Sequence, residues 1–72
     1  MRLPVVSGLD AVKAFTKAGW TAIRQHGSHV IMTKPGYDIT LSVPQHRELK
    51  RGLMARLVKD AGLTIEEFRK LL

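Results

Sequence analysis

Gly27-Ser28, set between the β-prone runs Trp20–His26 and Val30–Thr33, constrains the fold of this chain more than any other feature. A two-residue loop containing glycine between such runs signals a hairpin, because glycine reaches positive φ without steric cost. The hairpin commits the middle of the chain to an antiparallel sheet. It also sets His29 at the head of the second strand, where the backbone holds it in one position. An accessible, fixed imidazole can take or give a proton near neutral pH.

The other elements follow from spacing and caps. Ser7 followed by Asp10 reads as a helix N-cap, and Leu9, Val12, Phe15 and Ala18 recur at helical spacing up to Gly19. The first strand spans Trp20–His26 and the second runs from about His29 to Lys34, with Pro35-Gly36 as the next turn. A third strand is predicted over Tyr37–Val43, where Ile39, Leu41 and Val43 alternate with Asp38, Thr40 and Ser42. Pro44 ends it, and Gln45–Lys50 reads as a polar loop. Arg51-Gly52 leads into a helix with Leu53, Met54, Leu57, Val58 and Ala61 on its apolar stripe, closed by Gly62. Thr64-Ile65-Glu66-Glu67 is a capping box opening a short last helix, with Ile65, Phe68, Leu71 and Leu72 inward. The expected fold class is α+β, in the order helix, three-stranded meander, helix, short helix. A small antiparallel sheet with helices on one face closes that order.

Seventy-two residues make a single domain over 1–72 with a thin core. There is no cysteine, hence no thiolate site, and the three histidines and few acids lack zinc spacing. No metal and no cofactor are expected. The apolar runs are too short for a membrane span, and Met-Arg-Leu-Pro-Val-Val lacks the apolar core of a signal peptide, so the expected location is cytoplasmic. The formal charge of +6 resides in the middle of the chain. There Lys13, Lys17, Arg24, Lys34, Arg47, Lys50, Arg51, Arg56 and Lys59 face only Asp38 and Glu48. Such a field draws polyanions, and RNA is the substrate that suits both the charge and the histidine.

Individually these bases read as solvated surface. As a group Arg24, Lys34, Arg47, Lys50 and Arg51 form a phosphate track, with His46 and the Gly27-Ser28 turn beside it. Ser28 is a turn residue or a phosphate-contacting hydroxyl rather than a nucleophile, since adjacent strand residues point to opposite faces. His29 has two readings of nearly equal weight: an acid–base group, or a half-buried strand histidine hydrogen-bonded to backbone. His26 and His46 are each a second ring near the site, or exposed and idle.

The runs Ala18-Gly19-Trp20, Arg24-Gln25-His26-Gly27-Ser28-His29, Val43-Pro44 with His46, Leu49-Lys50 with Gly52, and Leu57 through Leu63 with Glu66-Glu67-Phe68 resemble the HicA-type mRNA interferase toxins. The likeness extends from about Gly8 to Leu72. It implies a fold like a double-stranded-RNA-binding domain, α-β-β-β-α with a short extra C-terminal helix. It further implies a toxin of a type II toxin–antitoxin system that cleaves mRNA, with a HicB-type antitoxin as partner and His29 as the essential histidine. Val30 stands where many members carry a second polar or histidine residue, and Arg51-Gly52-Leu53 replaces the common Pro-Gly-Thr. The competing expectation is a non-catalytic RNA-binding module of the same fold, which has no need of His29. A purely structural subunit is a third reading, and it leaves the charge pattern unused.

Overall fold

Helix α1 (Gly8–Lys17) starts where Ser7 leaves the extended region and its hydroxyl accepts the Asp10 N–H at 3.1 Å. The computed structural model describes residues 4–72. Met1–Leu3, the start of the stretch read above as no signal peptide, lies outside the described residues. After α1 come β1 (Thr21–His26), β2 (His29–Thr33), β3 (Leu41–Pro44), α2 (Arg51–Asp60) and α3 (Ile65–Leu71). The strands form one antiparallel sheet in the order β1-β2-β3. The α+β meander expected from the sequence is the fold observed.

Both long helices close with the same chain reversal. The Gly19 N–H donates to Thr16 O and the Trp20 N–H to Phe15 O; Gly62 and Leu63 repeat this onto Lys59 and Val58. These paired bonds satisfy carbonyls that a helix end leaves open. At α3 the capping box forms as expected: Glu67 N–H donates to the Thr64 hydroxyl at 3.1 Å, and Thr64 N–H to the Glu67 carboxylate at 2.9 Å. Those bonds to Thr64 favour the charged form and hold the Glu67 carboxyl below its ordinary range.

All three helices lie on one side of the sheet. Met32 from β2 and Leu41 and Val43 from β3 are buried there against Phe15, Trp20, Met54, Leu57, Val58 and Phe68. Phe15 and Phe68 join α1 to α3 with ring centroids 5.2 Å apart. Burying each such ring stabilises the fold by roughly 1.5–3 kcal/mol. On the opposite face Ser42 is exposed and Ile31 half-buried. β1 is an edge strand exposed along its whole length, and a bulge between Ala22 and Arg24 leaves Ile23 outside the ladder. A bulge of this kind discourages pairing with other chains.

Three expectations need correction. The buried face of α1 is Gly8, Ala11, Ala14 and Phe15, while Leu9 is 57% exposed. A side chain at Gly8 would run into the Pro44 carbonyl, so α1 sits close against the end of β3. Small residues on that side permit the approach, and they turn Leu9 outward. Leu72, expected inward, is exposed at the chain end. The third strand begins at Leu41, not Tyr37. Continuing its register would carry the pairing on to Asp38 opposite Pro35, but the chain reverses at Pro35-Gly36. The Lys34–Tyr37 segment is instead a tight turn, with Tyr37 N–H on Lys34 O at 3.1 Å and Gly36 at φ 86. Tyr37 then packs on Trp20, centroids 5.2 Å apart, and Ile39 stays exposed.

Candidate functional site

The Gly27-Ser28 loop forms as a two-residue hairpin turn, with Gly27 at φ 60 and Ser28 outside the left-handed region. Positive φ at the first loop position alone is the pattern of a type II′ turn, whose twist matches the flanking strands. Gln25 Nε2 donates to the Gly27 carbonyl at 3.1 Å and closes the turn from its own strand. His26 and His29 flank the loop as direct partners across it, and His29 in turn faces Pro44 of β3. Alternation from the buried Met32 puts His29 and Ile31 on the helix-free face. Arg24, opposite Ile31, and His26, opposite His29, share that face. Ser28 lies in the turn, and among the described residues its hydroxyl makes no hydrogen bond to the His29 ring.

His29 is half-buried and His26 exposed. Among the described residues neither imidazole makes a side-chain hydrogen bond. The reading of His29 as a ring fastened to the backbone therefore finds no bond to rest on.

The loop after β3 is brought to this same end of the sheet. Gln45 N–H donates to the Ser28 carbonyl at 2.6 Å, Gly8 N–H to His46 O at 2.9 Å, and Leu49 N–H to Val6 O at 2.8 Å. The first bond ties the loop to the hairpin; the other two tie it to the start of α1 and the segment before it. His46, Arg47 and Lys50 project from this loop as exposed side chains. Gln45 and Gln25 were not singled out in the sequence; a glutamine beside a turn carries no signal until its partner is known.

Lys50 is the N-cap of α2 but makes no side-chain cap bond, and the first turn holds no acid. The positive end of the helix dipole is thus reinforced by Lys50 and Arg51 rather than neutralised. The ion pair present among the described residues, Arg56–Asp60 at 3.9 Å, lies further along α2. Arg24, Arg47, Lys50 and Arg51 have no acid within 4 Å among the described residues.

Lys34 does not join them. It follows the far end of β2, where its ammonium donates to the Ala18 carbonyl at 2.9 Å and lies 5.2 Å from the centre of the Tyr37 ring. Its charge is engaged at the C-terminus of α1, apart from the bases at the hairpin end.

At the hairpin end His26, Gly27, Ser28, His46 and Arg47 are all exposed. Among the described residues no group of three or more His, Asp or Glu side chains is placed to hold a metal ion. None of the described helices is long and apolar enough to cross a membrane.

Among curated proteins none matches the chain. A family described as the HicA toxin of bacterial toxin–antitoxin systems matches residues 8–63. The match runs from the first residue of α1 to just past α2, so it takes in the hairpin and the pinned loop, while α3 lies beyond it. A match over so much of the chain, on the elements that build the site, makes the chain a member of the HicA toxin family.

Proposed function

We propose that this toxin is an endoribonuclease that cuts mRNA and so stops translation, with His29 as its acid–base group. The observation that carries the reading is the placement of His29: rigid at the head of β2, on the helix-free face, beside a basic loop and an uncapped basic helix start. In the reaction the ribose 2′-oxygen attacks the adjacent phosphorus as its proton leaves. The bond to the 5′-oxygen then breaks, and that oxygen takes a proton. The products carry a 2′,3′-cyclic phosphate and a 5′-hydroxyl. Arg24, Arg47, Lys50 and Arg51, with His46 and the Gly27-Ser28 turn, hold the RNA and offset charge building on the phosphate. No cofactor enters, and the reaction takes place in the cytoplasm.

The partner is a HicB-type antitoxin that covers the hairpin end. Because that end is basic, the antitoxin surface that meets it is acidic, and association is fast at low salt.

The test is cleavage of a mixed-sequence single-stranded RNA by the purified chain in the presence of a chelator. Fragments ending in cyclic phosphate and 5′-hydroxyl are expected. His29→Ala should stay folded and bind RNA, but cleave about 10²–10⁴-fold more slowly. RNA binding with no cleavage by the wild type would leave a binding module. An unfolded His29→Ala protein would make His29 a structural residue.

A further inference from the structure

One imidazole cannot remove the 2′-proton and supply the 5′-proton in a single concerted step. The hairpin offers a second ring. His26 and His29 are the pair that closes the two-residue loop. Such a closing pair exchanges backbone hydrogen bonds, with Cα atoms about 5.5 Å apart and side chains on one face. Two rings rising from neighbouring strands at that spacing can both come within about 2.6–3.2 Å of oxygens on one phosphate lying between them. The tight turn fixes the spacing, because no residue of slack separates the strands.

His46 stands differently. Its backbone carbonyl is held by Gly8, but it lies in a loop and is paired with neither strand, so no ladder sets its ring against His29.

Resting on the proposed ribonuclease reading, we infer that His26 is the second catalytic residue, the general acid that protonates the departing 5′-oxygen while His29 receives the 2′-proton. His26 takes this side because it stands exposed on the edge strand, where the cleaved RNA can leave without crossing the sheet. Electrons and protons balance. The O2′–P bond forms as P–O5′ breaks, one proton passes to His29 and one leaves His26. His29 then gives its proton to solvent and His26 takes one up, which restores the pair with no net change in protons.

The charged and titratable groups that the sheet sets beside His26 are Arg24 on its own strand and His29 opposite it on β2; β3 contributes none, and the loop that carries His46, Arg47 and Glu48 is tied to the turn at Ser28. The pair itself therefore governs the pH profile, with activity needing His29 neutral and His26 protonated. The wild type should give a bell-shaped dependence of kcat/KM on pH. His26→Ala should lose the fall on the alkaline side and keep the rise on the acidic side.

The decisive measurement compares two substrates: an RNA oligonucleotide carrying the bond cleaved by the wild type, and the same oligonucleotide with sulfur in place of the bridging 5′-oxygen. A thiolate leaves without being protonated, so it has no need of a general acid. His26→Ala should cleave ordinary RNA about 10²-fold more slowly than wild type, and the sulfur substrate within about tenfold of it. His29→Ala should be slow on both. Equal slowing of His26→Ala on the two substrates, or no slowing on either, overturns the assignment of His26 while leaving His29 in place. A wild type that leaves mixed-sequence RNA uncut, so that no such bond is found, or a His29→Ala protein as fast as wild type, overturns the ribonuclease reading and this inference with it. Circular dichroism of each variant excludes unfolding as the source of a loss.

Discussion

At one end of β2 the Lys34 ammonium is held by the Ala18 carbonyl and lies near the face of Tyr37, itself packed on Trp20. At the other end the rings of His26 and His29, with Arg24 and the Arg47–Arg51 bases, face outward without acidic partners among the described residues. The same strand thus begins among charges open to a ligand and ends beside one used inside the protein. A helix C-terminus is an electronegative place that holds a cation well, whereas the uncapped start of α2 is electropositive and favours an anion. The composition counts these bases as equals; the helix ends they sit against separate them.

That contrast can be broken from the open end first, where the largest effect is expected. Replacing Arg24, Arg47, Lys50 and Arg51 together by Gln should flatten the salt dependence of RNA affinity. The slope should fall by about 0.7 for each phosphate that is no longer neutralised, as for a single strand. Thermal unfolding should change little, because these side chains are exposed. An unchanged slope in a filter-binding series from low to high salt would show that this end does not hold phosphate.

The closed end should respond in the opposite sense. Lys34→Met keeps the aliphatic stem but removes the bond to Ala18 and the charge beside Tyr37. Denaturant unfolding should show a loss of about 1–2 kcal/mol, with the RNA salt slope unchanged. A reduced slope with intact stability would return Lys34 to the phosphate-binding residues.

The smallest effect belongs to a region outside both ends. Thr64→Ala should cost about 1 kcal/mol through loss of the α3 cap and alter neither RNA binding nor cleavage. The cap is also sensitive to acid. Because the folded protein holds the Glu67 carboxyl below its ordinary value of 4.5, its contribution is full above that pH. It is lost as pH falls through the lowered folded value. Glu67→Gln should remove that part of the acid dependence in pH-jump unfolding, and an unaltered acid limb would show that the box contributes nothing.

What the sequence disclosed was mostly local chemistry. Ser7, Gly27 and Thr64-Glu67 each act on a turn or cap a few residues away, so their signal survives without knowledge of the fold. The long-range arrangements did not show. The alternation from Tyr37 to Thr40 is a genuine period-two pattern, but the Lys34–Tyr37 turn and the packing of Tyr37 on Trp20 take those residues out of the ladder. The outward turn of Leu9 depends on how closely Gly8 meets Pro44, an approach between distant parts of the chain. At the site, the hairpin named His29 and set it on its strand. The face it occupies, its pairing with His26, and the diversion of Lys34 emerged only once the register and the end of α1 were in place.

The segment from Gln45 to Leu49 is fastened by Gln45, Gly8 and Leu49 N–H groups on the carbonyls of Ser28, His46 and Val6, with the Gln45 amide on Val43 O and the Leu49 side chain buried in the core. None of these bonds asks anything of the side chains at His46, Arg47 or Glu48. Their chemistry can therefore drift while the scaffold stays the same. With the RNA and antitoxin contacts proposed above, a lineage of such toxins can trade one recognition preference for another here, and a matching antitoxin can follow each change with substitutions of its own. Separate toxin–antitoxin pairs can in this way diverge within one genome until neither partner recognises its counterpart's relative.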